Sequence, residues 1–269
     1  MPASVAQKPE GGAPPALEAR NLTLSWDEGA HVVVRDFSLV ADAGETVCLV
    51  GRSGCGKTTI LHALSGLTRP LEGTVLLRGE DITGRPGRVS YMLQKDLLLP
   101  SKRIIDNVSL PLVIGGMKRT EARAKAAPLF ERFGLAGTEQ MWPSQLSGGM
   151  RQRAAFLRTY LMGNEVVLLD EPFSALDAIT RVDLRSWYCE MAHGLRLASV
   201  VITHDVDEAV SMADRIYVLH GSPSEGVPTT VAGEIAVPRT AALASAEVDD
   251  FSLTPEYIYC KREVLELLG

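Results

Sequence analysis

No run of apolar side chains in this sequence approaches the ~20 residues that a helix needs to cross a bilayer. Any attachment to a membrane is therefore expected to go through a partner. Residues 1–15 are rich in Pro, Gly and Ala and lack the apolar core of a secretion signal; they are expected to form a disordered leader, because they offer nothing to bury. Basic residues are in deficit: 27 Lys and Arg stand against 33 Asp and Glu, a formal charge of −6 with no basic cluster. That balance argues against a nucleic-acid partner, since phosphate backbones are gripped by concentrated positive charge. Cysteine is sparse. Cys48, Cys55, Cys189 and Cys260 are too scattered for a metal-ligand spacing or a disulfide framework, and they read as buried small apolar residues in a reducing compartment. No internal repeat is visible. What remains is a 269-residue chain, long enough for one large α/β domain or a core with a smaller subdomain.

Within that chain, Gly51-Arg52-Ser53-Gly54-Cys55-Gly56-Lys57-Thr58 carries two glycines five apart followed by Lys and a hydroxyl residue, the pattern of a phosphate-binding loop. Its glycines let backbone N–H groups curl around phosphate oxygens, Lys57 supplies positive charge to the β- and γ-phosphates, and the Thr58 hydroxyl is placed to ligate Mg²⁺. A Gly-rich surface turn is the alternative for the loop alone. The context counts against it: residues 46–50 are a short apolar run rich in β-branched side chains, and residues from Thr59 to Leu64 open a helical pattern. The helix start adds unpaired N–H groups and a dipole contribution of about 0.3–1 kcal/mol for an anion.

Apolar residues recur at every second position over residues 17–26 and 32–40, with Asp27-Glu28-Gly29 as a turn, which predicts antiparallel strands; residues 73–79 add another. Residues from about 96 to 163 are expected to be mostly helical. Pro128 should kink or split the helix it falls in, because it lacks an N–H and clashes with the preceding turn, and Gly134 is a natural stop. Residues 165–169 and 198–203 read as buried strands with a helix between, so a parallel sheet is predicted, with its ligand at the carboxyl ends of the strands. Beyond residue 220 the Pro, Gly, Ser and Thr content predicts an irregular tail closed by a helix near 255–268. Asp170 and Glu171 end the first of those strands. Asp170 is positioned to hold Mg²⁺ through water, and Glu171 to orient or deprotonate an attacking water, help worth about 10²–10⁴ in rate.

Leu146-Ser147-Gly148-Gly149-Met150-Arg151-Gln152-Arg153 resembles the signature sequence of ATP-binding cassette proteins. Physically, Ser147 is a good N-cap, with Met150, Ala154, Leu157 and Leu161 forming one apolar helical face behind it. An ordinary capped helix after a Ser/Gly loop is the bland alternative. The resemblance extends over residues 17–220 and implies a phosphate-loop NTPase core of the RecA-like α/β class, with an antiparallel β subdomain and an inserted helical subdomain. It also implies ATP and Mg²⁺ as ligands, with ATP held by Gly51, Ser53, Gly54, Cys55, Gly56, Lys57, Thr58 and Thr59 and the metal by Thr58, Gln94 and Asp170. Gln94, Glu171 and His204 are then expected to act in hydrolysis. Ser147, Gly148, Gly149 and Asp177 are expected to complete the site of a second subunit in a homodimer. Trp26 lies where the family places an aromatic on adenine; a structural Trp on a strand accounts for it equally well.

The run from Leu93 to Pro100, with Asp106-Asn107-Val108, looks like importers of the nitrate/sulfonate/taurine group, which includes transporters of thiamine-pyrimidine precursors. Ser101 and the Arg158-Thr159-Tyr160-Leu161 run depart from that group's usual text. The resemblance implies an ATPase peripheral to the cytoplasmic face of the inner membrane, bound to an integral-membrane permease and served indirectly by a solute-binding protein. The permease groove is expected between Gln94 and Pro111, with Leu98 and Leu99 in contact. The rival from another class is a soluble ABC ATPase of a non-transport assembly or scaffold complex.

Overall fold

The structure, a computed structural model, describes residues 13–27, 29–239 and 250–269. Most of the expected leader (1–12), Glu28 of the predicted turn, and residues 240–249 of the expected tail lie outside the described residues. The first strands β1 (Leu17–Ser25) and β2 (Val32–Ala41) pair antiparallel, as their alternation predicts: Leu17, Ala19, Leu22 and Leu24 point inward while Glu18 and Arg20 point out. The next strand, β3 (Thr46–Gly51), is buried on both faces, the pattern of a strand covered on each side. It leads into α1 (Lys57–Leu64), then β4 (Glu72–Leu77), β5 (Glu80–Asp81) and β6 (Ser90–Met92).

Five helices follow: α2 (Ile104–Val108), α3 (Leu110–Ile114), α4 (Arg119–Ala126), α5 (Leu129–Arg132) and α6 (Gly148–Tyr160). Pro128 does divide a helix, since α4 ends before it and α5 begins after it, and Gly134 follows with φ +66°. Two devices hold this insert together. The buried Asp106 carboxylate accepts paired bonds of 2.6–2.9 Å from Arg119 and Arg123, tying α2 to α4. Fully buried Asn107 accepts from the Leu99 N–H at 2.6 Å and donates to the carbonyls of Leu99, Lys102 and Arg103.

The chain then alternates between β7 (Val166–Asp170), α7 (Ala178–Leu195), β8 (Ala198–Thr203), α8 (Val206–Met212) and β9 (Arg215–Ser222). Residues 227–236, expected to be irregular, instead form a ten-residue strand, β10 (Val227–Ala236), antiparallel to β9. The polar composition there conceals a period of two: Thr229 and Ile235 are buried, while Thr230, Ala232, Glu234 and Ala236 are exposed. The closing helix α9 (Pro255–Leu268) forms where expected, and its Leu267 packs so closely on Gly233 that a Cβ there would lie 2.6 Å from Leu267 Cδ1.

The strands make one ten-stranded sheet in the order β5-β4-β1-β2-β10-β9-β3-β8-β7-β6. The pairs β6/β7, β7/β8, β8/β3 and β3/β9 are parallel, and the β1, β2, β4, β5 portion is antiparallel. Alternate residues of β3 serve two cores. Cys48 and Val50 join residues of α6, α7, α8 and α9 on one face, while Val47 and Leu49 join α1 and the antiparallel strands on the other. Burial on both sides fixes where β3 ends, and thus where the loop after it opens. Among the described residues no helix is long and apolar enough to cross a membrane.

Candidate active site

The loop between β3 and α1 is shaped by its glycines. Gly56 caps α1 with φ +90°, a left-handed conformation that side chains disfavour, and a Cβ at Gly51 would lie 2.7 Å from Cys55 Sγ. Cys55 is therefore tucked beneath the loop rather than open to it, and the Thr229 hydroxyl of β10 donates to its carbonyl. No side chain caps the N-terminus of α1 and no acid occupies its first turn, so its leading N–H groups are available to an anion. Lys57 is buried, its Nζ donating to the carbonyls of Gly51 at 2.7 Å and Arg52 at 3.0 Å. Its charge is thus stored directly under the loop.

The parallel pairing of β6, β7 and β8 brings the remaining groups to the same strand ends. The Thr58 hydroxyl lies 3.4 Å and the Tyr91 hydroxyl 3.3 Å from Asp170, and both contacts go to Oδ2. Burial raises the Asp170 carboxyl above its ordinary value, and the Tyr91 bond opposes that rise. Desolvation, then the neighbouring Asp170, push the Tyr91 phenol up well beyond the ordinary range. Glu171 follows with φ +42° and its N–H bonded to the Ile202 carbonyl of β8. Its Oε2 accepts from Gln94 Nε2 at 3.1 Å, and its Oε1 lies 3.1 Å from His204 Nδ1. Gln94 Nε2 also reaches Ser174 Oγ at 3.3 Å, and that hydroxyl donates to the Glu171 carbonyl at 3.0 Å.

These groups surround a cavity of about 350 Å³ lined by Trp26, Ser53, Gly54, Gly56, Lys57, Thr58, Thr59, Gln94, Asp170 and Glu171. Trp26 is 59% exposed at its rim and is not part of the core. His204 joins through Glu171. Gly51 and Cys55 shape the loop from below. Ser147, Gly148, Gly149 and Asp177 do not line this cavity; they form a second edge of the same chain. There Ser147 Oγ accepts from the Met150 N–H at 3.3 Å as the N-cap of α6, and Asp177 accepts from the Thr180 N–H at 3.1 Å as the cap of α7. The Thr180 bonds hold the Asp177 carboxyl below its ordinary value. The two glycines are required by packing: a Cβ at Gly148 would lie 3.1 Å from Leu176 Cδ2, and one at Gly149 would lie 2.9 Å from Thr180 Cγ2.

The oxygen donors fit Mg²⁺. The Thr58 hydroxyl and Asp170 Oδ1 are a hard donor set, and Gln94 spends its amide nitrogen on Glu171 and Ser174, which leaves its oxygen outside those bonds. Among the described residues no three His, Cys, Asp or Glu side chains cluster as a metal cage. The set therefore suits a cation that takes most of its ligands from phosphate and water.

The family model described as ABC transporter matches residues 34–174, which take in the phosphate loop, Gln94, Ser147 and the Asp170–Glu171 pair. The chain belongs to the ABC transporter family. It is 40% identical over 210 residues to a formylaminopyrimidine import ATP-binding protein of Halalkalibacterium halodurans, covering 78% of this chain and 82% of that one. It is 39% identical over 244 residues to an aliphatic sulfonates import ATP-binding protein of Burkholderia cenocepacia, covering 89% and 86%. Among solved structures, a dimeric bacterial ABC transporter cassette superposes with a TM-score of 0.68 at 26% identity, over 82% of this chain and 98% of that one. The same cassette has also been solved in a post-hydrolysis state bound to ADP and Pi.

In this ABC cassette, sequence reading did not single out Tyr91 or the role of Arg158. The register that sets Tyr91 beside Leu168, and so its hydroxyl near Asp170, is not encoded locally. Arg158 on α6 donates to the carbonyls of Asp96 and Leu97, and Arg151 to the Asp96 carboxylate, latching the segment after Gln94 onto the Ser147 helix. The i, i+7 spacing of Arg151 and Arg158 on one helix is the part of this latch that the sequence carries.

Proposed function

We propose that this chain is the ATP-hydrolysing subunit of an ABC importer. In this reading it works as a homodimer on the cytoplasmic face of the inner membrane, held there by an integral-membrane permease. The solute is a small nutrient delivered to that permease by a binding protein. The import functions named for relatives at about 40% identity support that reading, as does a dimeric cassette among the structural neighbours. The observation that carries the chemistry is the Glu171 carboxylate, held between Gln94 and His204 at the mouth of the phosphate loop.

The β- and γ-phosphates of ATP seat against the loop N–H groups at the start of α1. Lys57 turns its ammonium from the Gly51 and Arg52 carbonyls to phosphate oxygens, where charge grows in the transition state. Thr58, Gln94 and Asp170 would hold Mg²⁺, which when bound neutralises charge on the phosphate oxygens. Water attacks the γ-phosphorus, the bond to the ADP oxygen breaks, and Glu171 accepts the water's proton. His204 fixes the Glu171 carboxylate from the side opposite Gln94. Ser147 and Asp177 of one protomer complete the site of the other, so ATP closes the dimer and hydrolysis reopens it.

The permease contact falls on the exposed side chains of Leu93, Leu97, Leu99 and Ile114. Leu98, expected to share it, is 7% exposed and part of the core, so a charge there would test folding rather than binding. Glu171→Gln keeps an oxygen for Gln94 but removes the base. Turnover should fall about 10²–10⁴-fold, or roughly 3–5 kcal/mol of barrier, while an ATP-bound dimer accumulates by light scattering. Wild-type turnover in that variant would remove Glu171 from its role.

A further inference from the structure

We propose that Arg181 is a positioning residue that clamps the Asp177 loop to the His204 turn, so that the two shift as one body during ATP turnover. The inference rests on the ATPase reading above. Arg181 lies in the first turn of α7. Its Nη2 donates to the Leu176 carbonyl at 3.0 Å, and its Nη1 pairs with Asp205 Oδ2 at 3.3 Å. Leu176 immediately precedes Asp177, and Asp205 immediately follows His204, so one planar guanidinium bridges the residues adjoining two functional groups.

Both anchors are stiff. Asp205 Oδ1 caps α8 through the Glu208 N–H at 3.1 Å, and the Asp205 N–H bonds Thr203 Oγ1 at 3.0 Å; that hydroxyl in turn donates to Glu208 Oε2 at 3.0 Å. On the other side, the Leu176 N–H bonds the Phe173 carbonyl, the Arg181 N–H bonds the Asp177 carbonyl, and the Leu176 side chain supports Gly148 at the tip of α6. The remaining nitrogen, Nε, is shielded and has no hydrogen-bond partner. A water-solvated surface arginine would not leave a nitrogen buried in this way. His204 contacts Glu171 in its own protomer, and Asp177 faces the neighbour in the proposed dimer. A rigid link between them makes the geometry of one site depend on closure at the other.

The test uses the full-length chain carrying Arg181→Met, Arg181→Lys, Asp205→Asn and the Arg181→Met/Asp205→Asn pair. Asn still caps α8 but no longer attracts the guanidinium. Arg181→Met should lower kcat about tenfold with KM for ATP changed less than about twofold, and ATP affinity should hold in a Glu171→Gln background. The double variant should be no worse than Arg181→Met alone, because one link can be broken only once. Arg181→Lys, which reaches one acceptor at a time, should recover part of kcat. Hydrogen exchange of the nucleotide-free chain should show faster exchange at the Asp205 and Glu208 amides in Arg181→Met, a readout that holds whether or not the chain turns over. Unchanged exchange at those amides, losses that multiply in the double variant, or an equal loss of ATP affinity and kcat would each overturn the link. An inactive wild-type chain would instead count against the ATPase reading.

Discussion

Gly149→Ala isolates the geometry of the Ser147 edge with a single methyl group. The added Cβ would lie 2.9 Å from Thr180 Cγ2, about 0.5 Å inside ordinary van der Waals contact, so the tip of α6 and the first turn of α7 must separate by roughly that distance. Overpacking of this kind typically destabilises by about 1–3 kcal/mol, and replacing Gly by Ala in a helix returns up to about 1 kcal/mol. The net cost to the fold should therefore lie between about zero and 3 kcal/mol, a fall of at most about 10 °C in melting temperature. Function should suffer as well, because a 1 Å misplacement in a site costs about 10²-fold and half of that about tenfold, or roughly 1.4 kcal/mol of barrier. The assays are ATP-induced dimerisation of Glu171→Gln chains by light scattering, and steady-state ATPase without that substitution. Thr180→Ser supplies the control: it removes the offending methyl, keeps the hydroxyl, and keeps the backbone N–H that caps onto Asp177. Gly149→Ala/Thr180→Ser should regain most of the lost dimerisation and activity. A Gly149→Ala chain that dimerises like the parent, or a double variant no better than the single, would refute the packing argument.

Asp106→Asn should destabilise the protein by about 2 kcal/mol in urea unfolding, since the amide keeps one acceptor oxygen and sets its NH2 against the arginine donors that the second carboxylate oxygen had satisfied. The Arg123 and then the Arg119 bonds hold the Asp106 carboxyl well below its ordinary 3.8. Its contribution is thus complete above that value and lost as pH falls beneath it, and the variant should show a flatter acid limb of stability. Glu208 shifts the other way: burial, opposed by the Thr203 bond, raises it from 4.5 to about 7. The folded state prefers the protonated form, so stability should decline as pH rises from about 4.5 through 7, by at most roughly 3 kcal/mol. Glu208→Gln should flatten that decline, and an unchanged pH profile of thermal melting would show that Glu208 is not its source.

The parts legible in the sequence were those whose physics is local. A phosphate loop needs Gly56 at positive φ and Lys57 beside it, so the loop could be placed from eight residues, and the strand and helix from the runs on either side of it. Pro128 divides its helix for a reason carried by one ring. The strand of residues 227–236 escaped because its Thr, Gly and Pro content outweighed a period-two pattern that acquires meaning only against β9 and α9. Tyr91 escaped for a related reason: its phenol meets Asp170 only through the β6/β7 register. Arg158 and Arg181 look like ordinary helix-surface charges until the chain folds back to offer them carbonyls and a carboxylate.

The segment from 171 to 177 shows why these less legible contacts matter. Glu171, at its start, has its N–H fixed to β8 and its carboxylate between Gln94 and His204. Ser174, midway, bonds back to the Glu171 carbonyl and receives Gln94. Leu176, near its end, lies under Gly148 and accepts at its carbonyl from Arg181, and Asp177 caps α7. Every few residues the loop is tied to a different element by a hydrogen bond or a close packed contact. In the proposed dimer, a shift of the Ser147 tip against the neighbour would pass into this short segment. From there it would reach either Glu171 along the backbone or, by the proposed clamp, His204 through Arg181 and Asp205, and both routes end at the same carboxylate.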